Sequence, residues 1–240
     1  MRGKKWEYPD VVEIEVNSHC NRRCEYCPNN LQKFRGLIAF MEINLFRRII
    51  YMLQEIEFSG RLSFHLFNEP LLRRDLEKLI SWARPKLPMA HFVLYTNGDL
   101  LTNVRYGRLL KAGIDLFQVT RHDWDTYPDR PFQNVQIPSD FAISSRGGTV
   151  LPVQTSLDIP CYGPSEMMIV TINGEVILCH EDALKAHVMG NLAHQHLSDV
   201  WRSPAFEHAR KYLESGRRKE GPMICSTCDN RLYPLPGAAI

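Results

Sequence analysis

Three cysteines crowd the stretch SHCNRRCEYCPNN near the start of the chain: Cys20, Cys24 and Cys27, spaced C-x3-C-x2-C. Thiolates are soft ligands that select zinc or iron–sulfur clusters. A structural zinc site takes four protein ligands, usually in paired C-x2-C or Cys/His arrangements. The trio supplies three. His19 could be recruited as a fourth, but it abuts Cys20 on a short loop, where adjacent side chains do not both aim inward. A 4Fe–4S cluster needs a thiolate at each iron that the protein holds, so three cysteines leave one iron open to an exogenous ligand.

In this spacing the open iron suggests S-adenosyl-L-methionine (SAM), chelating through its amino and carboxylate groups. One electron passed into the sulfonium gives a 5′-deoxyadenosyl radical, able to take hydrogen from unactivated carbon. The remaining four of the seven cysteines lie far downstream, at Cys161, Cys179, Cys225 and Cys228, and residues 28–160 carry none. Four thiolates can hold either zinc or a second 4Fe–4S cluster, and spacing alone does not separate the two.

The elements around these cysteines read as alternating strands and helices. VVEIEVN (11–17), RLSFHLF (61–67), HFVLYTN (91–97) and LFQVTRH (116–122) have strand character. MEINLFRRIIYMLQEI (41–56), DLEKLISWA (75–83, stopped by Pro85) and NVRYGRLLKAG (103–113, with Gly113 as C-cap) have helical spacing. Such alternation builds a parallel sheet from right-handed βαβ units. The pattern weakens in DWDTYPDRPFQ, and FAISSRGG (141–148) is a candidate last strand. MMIVTINGEVILC (167–179) reads as a hairpin around Asn173-Gly174. LSDVWRSPAFEHARKYLESG (197–216) reads as a helix broken near Pro204. We expect an α/β chain divided into residues 1–155 and 156–240.

Bulk properties narrow the function. The formal charge is +2, too small to argue for nucleic acid as the ligand. No run approaches the length of a membrane span. The N-terminus MRGKKWEYPD lacks the apolar core of a secretory signal, so a cytoplasmic location is expected. In that reducing compartment cysteines serve as ligands rather than disulfides.

EVNSHCNRRCEYCPNN, GRLSFHLFNEPLL, LYTNGDLLT, SSRGG, ILCHED, MGNL, LSDVW and the final C-x2-C together carry a family resemblance. The chain resembles radical SAM enzymes with a C-terminal twitch domain, the shortened relative of the SPASM domain. Among them it is most similar to dehydrogenases that oxidise aminocyclitols in aminoglycoside antibiotic biosynthesis. The resemblance implies a partial (β/α) barrel followed by a small hairpin-plus-helix subdomain. It implies an auxiliary 4Fe–4S cluster on Cys161, Cys179, Cys225 and Cys228, and a flavodoxin or ferredoxin as electron donor. Tyr26 matches the aromatic set against adenine. Asn68, Glu69 and Pro70 match the G-[GN]-E-P turn that binds the SAM amino group, with Asn68 in place of its glycine. Arg146, Tyr95 and Glu181 match substrate-pocket residues. Phe67 stands where the family has a tyrosine and His180 where it has a phenylalanine, so the pocket is expected to accept a different aminocyclitol or sugar. Arg146, Glu181 and His180 are the candidates for positioning the substrate or assisting proton removal.

Plainer readings stand beside these. Tyr95 could be core and Arg146 a surface charge. His65, mid-strand, reads as a satisfied core histidine, and RRKEG (217–221) as a solvated loop that could at most greet an acidic electron donor. The rival functions are peptide modification, sugar epimerisation and a non-catalytic metal-binding module. Peptide modifiers often carry a leader-binding domain ahead of the barrel, and a first strand near residue 11 leaves no room for one.

Overall fold

The computed structural model describes residues 7–31, 38–122, 133–136, 143–153 and 157–237. Strands β1 (Val11–Ile14), β2 (Arg61–Ser63), β3 (His91–Thr96), β4 (Leu116–Thr120) and β5 (Gln133–Gln136) pair in parallel in that order. On the other side of β1, β6 (Met167–Val170) also runs parallel to it. Antiparallel β7 (Glu175–Ile177) and β8 (Val188–Asn191) follow. The result is one eight-stranded sheet of order β5-β4-β3-β2-β1-β6-β7-β8, mostly parallel and not closed.

Register assigns the two faces. Met168, Val12, Leu62 and Phe92 form one row across the sheet, all buried, and it meets the helices. Helix α1 (Ile43–Glu55) buries Phe46, Ile49, Ile50 and Leu53, spaced i, i+3, i+4, i+7, so one stripe faces that row. Each such side chain stabilises the fold by about 1.5–3 kcal/mol. Helices α2 (Leu76–Ala83) and α3 (Asn103–Ala112) pack on the same face. The next row, Ile169, Glu13, Ser63 and Val93, faces the concave side. Tyr95, Gln118 and Asn134 form a parallel row two residues further along. This concave face mixes polar side chains with apolar ones where the helical face is apolar, and it is the lumen of a partial barrel.

Local signals act as expected at several points. Gly113 caps α3 at φ +114, and a side chain there would meet Arg84 at 2.5 Å. Three short helices complete the C-terminal part: α4 (Gly163–Glu166), α5 (Leu197–Trp201) and α6 (Pro204–Leu213). Pro204 opens α6 at its first turn, and Ser203 Oγ accepts from Phe206 N at 3.4 Å, so the expected break falls there.

Other expectations need correction. β2 stops at Ser63 rather than at residue 67, because Leu66 N donates to Asn68 Oδ1 at 2.8 Å instead of joining a ladder. The proposed strand in FAISSRGG is absent from residues 143–148, where the chain turns; residues 141–142 lie outside the described part. The last parallel strand is instead β5, QNVQ, a polar strand next to β4. β8 adds a third antiparallel strand beyond the expected hairpin. No helix among the described residues is long and apolar enough to cross a membrane.

Candidate active site

Cys20, Cys24 and Cys27 lie on the loop after β1, at the end of the sheet where the parallel strands deliver their C-termini. The loop is braced by its own backbone: Cys27 N donates to Cys24 O at 3.0 Å, and Pro28–Asn30 forms a 3-10 turn. Glu69 N donates to His19 O at 2.9 Å, and Asn29 Nδ2 to Phe67 O at 2.8 Å, tying the loop to the chain beyond β2. Arg22 N and Asn97 Nδ2 approach Cys20 Sγ at 3.4 and 3.7 Å, donors that suit a thiolate. Burial pushes Cys20 up to about 11 and raises Cys27. Thiols held together this way call for a cation, and the trio fits a cluster with three protein ligands. His19 is no fourth ligand: its ring sits edge-on to Phe40 at 5.6 Å, and Asn17 Nδ2 lies 3.3 Å from its Nδ1.

Glu69 is buried at 1% exposure, and its carboxylate already accepts three bonds. Leu71 N and Thr96 Oγ1 donate to Oε1 at 2.9 and 2.8 Å, and Asn97 N to Oε2 at 2.8 Å. It fastens the loop after β2 to the end of β3. Burial lifts its pKa to about 7 against those bonds. Asn68 Nδ2 donates to Asn17 Oδ1 at 2.8 Å, and Asn17 Nδ2 reaches the Glu69 carbonyl at 3.2 Å. Pro70 opens a 3-10 turn that Glu69 caps. The phenol of Tyr26 bonds His122 Nδ1.

The second thiol set is gathered from three elements. Cys161 precedes α4, Cys179 follows β7, and Cys225 and Cys228 sit in and just after the 3-10 turn Met223–Thr227. All four line one cavity together with His180, Glu181, Arg218, Asn230 and Tyr233. Burial first, and then the other thiols, raise Cys179 and Cys225 well above the ordinary range; Cys228 is pushed to about 12. Four thiols gathered in one pocket, which burial keeps from ionising on their own, fit a cation or a cluster ligated entirely by protein.

Between the two sets runs the lumen. The Arg146-Gly147-Gly148 turn has three successive positive φ values, 54°, 58° and 81°. Arg146 holds a conformation that L side chains rarely adopt. A Cβ on Gly147 would come within 2.7 Å of Ile224, next to Cys225, so the turn lies against the second thiol set. Arg146 Nη1 meets Glu181 Oε1 at 3.2 Å, and its guanidinium lies 5.9 Å from the Phe67 ring. Its charge also lowers the Cys27 thiol against burial, so it stands between the two cysteine sets. Glu181 is fixed by Ser144 Oγ at 2.8 Å and Asn230 Nδ2 at 2.7 Å.

A third cluster escaped the sequence reading. Glu13 on β1, 2% exposed, meets His180 Nε2 at 2.5 Å, Arg61 at 3.6 Å and His65 Nε2 at 3.9 Å. Burial would raise its carboxyl, but His180, His65 and Arg61 together bring it down to about 2. His65 stacks on Tyr95 at 4.3 Å, and burial holds it down to about 4, neutral at physiological pH. His65 is therefore a lumen residue rather than a satisfied core histidine. Its Nδ1, Ser63 Oγ, Arg61 Nε, Gln118 Nε2 and Arg146 Nε are buried without a partner among the described residues. Buried polar atoms are normally paired. A ring of unpaired ones around a lumen marks where a polar small molecule would bind. The signal in the sequence was the alternation of VVEIEVN, which gives Glu13 to one face without saying that the face is enclosed.

RRKEG also departs from its solvated reading. Arg217 and Lys219 are surface residues, ion-paired to Glu220 and Asp158, but Arg218 is 1% exposed and Nη1 lies 3.6 Å from Cys228 Sγ.

Comparison with known proteins agrees with this layout. A model of the radical SAM superfamily matches residues 14–135, and a model of the SPASM iron-sulfur cluster-binding domain matches residues 161–229. The chain is 36% identical over 233 residues to the S-adenosyl-L-methionine-dependent 2-deoxy-scyllo-inosamine dehydrogenase of Niallia circulans, covering 92% of each. The crystal structure of BtrN with AdoMet and 2-DOIA superposes with a TM-score of 0.87 at 34% identity, covering 95% of this chain and 96% of that one. Streptococcus suis SuiB bound to its precursor peptide SuiA shares the fold, with a TM-score of 0.60 at 12% identity, covering 91% of this chain and 72% of that one.

Proposed function

The chain belongs to the radical SAM superfamily, and from that premise we propose that it is a SAM-dependent dehydrogenase oxidising a secondary alcohol of an aminocyclitol to a ketone. The observation that carries the reading is that all seven cysteines fall into two thiol sets, three on the loop after β1 and four lining one cavity. Three hold a cluster with an open iron, four hold a cluster with none, and no thiol remains to return a hydrogen atom to a substrate radical. Bound SAM and the first cluster supply a 5′-deoxyadenosyl radical, and the second cluster supplies a one-electron acceptor. Epimerisation would need a hydrogen donor, for which a phenol O–H is a poor substitute. An aminocyclitol of the kind named for the Niallia circulans relative fits a lumen that offers both carboxylates and unpaired donors.

The chain's own residues then have distinct tasks. Tyr26 and the Asn68-Glu69-Pro70 turn border the first thiol set and are the candidates for holding SAM. Arg146, fixed by Glu181, presents its guanidinium to the substrate oxygen; it is too basic to serve as the base, so it orients and polarises. His180, backed by the ionised Glu13, takes the hydroxyl proton. Tyr95 and Phe67 form the walls. Phe67 offers no hydroxyl where the family has a tyrosine, so this chain makes one fewer bond to its substrate there. A flavodoxin or ferredoxin supplies the electron for the first cluster.

The test is isotopic. Reconstituted enzyme, SAM and an aminocyclitol deuterated at the carbinol carbon should give ketone and labelled 5′-deoxyadenosine, one for one. An inverted alcohol carrying solvent deuterium, with no ketone, would falsify the dehydrogenase reading.

A further inference from the structure

We propose that Arg218 is a positioning residue for the second cluster, and that its buried guanidinium sets the potential at which this cluster accepts an electron. Its fork is spent on the walls of the thiol pocket. Nε donates to Ile159 O at 2.9 Å, Nη2 to Pro160 O at 3.2 Å, and Nη1 to Asn230 O at 3.0 Å and to Cys228 Sγ at 3.6 Å. These carbonyls flank Cys161 on one side and follow Cys228 on the other. The guanidinium thus bridges two of the segments that supply ligands.

Its charge is the more informative feature. Arg218 is 1% exposed, and no carboxylate among the described residues lies within ion-pair distance of it. An uncompensated buried cation is costly. A chain keeps one where an anion compensates it; Cys228 Sγ lies within reach of the fork, and the buried Glu181 carboxylate lines the same cavity. Four thiolates around a 4Fe–4S core give net 2− when oxidised and 3− when reduced. A fixed positive charge in low dielectric favours the more negative state, and Arg218 therefore strengthens the cluster's hold on an added electron.

That hold matters to the reaction proposed above, on which the electron's origin alone rests. After hydrogen abstraction and loss of the hydroxyl proton to the base, the carbon radical gives up one electron. The C=O bond forms, and the cluster is reduced by one electron. Without Arg218 that step is less downhill, and the radical persists.

The decisive measurement is an anaerobic redox titration of the reconstituted holoenzyme followed by electron paramagnetic resonance, without substrate. In Arg218→Gln one wave should fall by at least tenfold in hold on its electron, about 59 mV, while the other stays in place and iron content is unchanged. Arg218→Lys keeps the charge and should stay within about threefold of wild type. With substrate, Arg218→Gln should yield less ketone per 5′-deoxyadenosine. If Arg218→Gln loses iron, Arg218→Lys decides: iron retained at a near-native potential supports the proposal. Unmoved waves with full iron in Arg218→Gln, equal falls in both variants, or iron lost from both would overturn it. Because the potentials are read without substrate, they stand even if the product proves not to be a ketone.

Discussion

Cys20, Cys24 and Cys27 ride on a loop and stay partly exposed, with the Arg22–Asp99 ion pair beside them at 2.5 Å. Cys225 and Cys228 are buried, and the guanidinium nearest them, that of Arg218, is enclosed with them. Three ligands and an open rim suit a site that must admit and cleave a cosubstrate. Four ligands, two of them buried and Cys161 and Cys179 partly so, beside a buried cation, suit a site that only stores charge. Arg146 is paired with Glu181, and Glu13 with His180 and His65; these are the residues proposed to meet the substrate.

Removing each set in turn is the most severe way to break this contrast. The wild-type chain should take up about eight irons after reconstitution. Changing Cys20, Cys24 and Cys27 to alanine should halve that number and abolish SAM cleavage. Changing Cys225 and Cys228 to alanine should also halve it, while slow 5′-deoxyadenosine formation survives and ketone disappears. Tightly bound zinc in the second set, with half the iron, would remove the electron-acceptor role.

The next test addresses the residue that joins the two sets. Arg146→Ala should cut turnover by about 100-fold or more, the penalty for losing orientation of the reacting group. Both clusters should remain, and SAM cleavage should run uncoupled from product. Loss of iron in this variant would instead make the strained turn at Arg146 a scaffold for Cys225, through Ile224.

His180→Phe is milder. It leaves Glu13 with Arg61 and His65 but removes its shortest bond, a charge-assisted one, costing about 2 kcal/mol of stability. If His180 takes the hydroxyl proton, ketone formation should slow while SAM cleavage continues. Unchanged ketone formation with lower stability would make His180 a support for Glu13 alone.

The sequence shows the two sides of this contrast unevenly. The first set is legible because C-x3-C-x2-C after a β-branched strand is local: ligands, loop and strand are contiguous. The helices behind the sheet are legible too, since α1 writes its buried stripe at i, i+3, i+4 and i+7. The second set is legible as four cysteines, but not as iron or zinc, because the same thiolates serve both. Glu13 and Arg218 are hidden for a common reason. Glu13 sits on a strand whose alternation does not say that its face is enclosed, Arg218 in a segment that reads as solvated, and each is enclosed by parts of the chain far away in sequence: Glu13 by His180 across the β1–β6 seam, Arg218 by Ile159, Pro160 and Asn230. β5 was missed because QNVQ has one apolar residue in four and pairs through its backbone.

The smallest effect contrasts two buried carboxylates, Glu13 on β1 and Glu69 on the loop after β2. Glu13 is held near 2 by His180, His65 and Arg61 against its burial, whereas Glu69 accepts only neutral donors and lies near 7. A folded pKa raised above the unfolded value of 4.5 contributes stability that is fully present below that value and lost as pH rises through the folded one. For Glu69 the window is therefore about pH 4.5 to 7. Between pH 5 and pH 8 its contribution should fall by about 2 kcal/mol, from the size of the shift. Glu13, depressed, contributes stability that is lost only as pH falls from 4.5 through 2, so it is level across the same interval. Urea unfolding of the reduced, metal-free chain at pH 5 and pH 8 separates the two. Glu69→Gln removes the titrating group but keeps a buried amide in its place, so it should cost about 2 kcal/mol more at pH 5 than at pH 8. A cost independent of pH would show that the three donors at Leu71, Thr96 and Asn97 hold Glu69 ionised. The first site would then carry a fixed negative charge beside Cys20, as the second carries a fixed positive one beside Cys228.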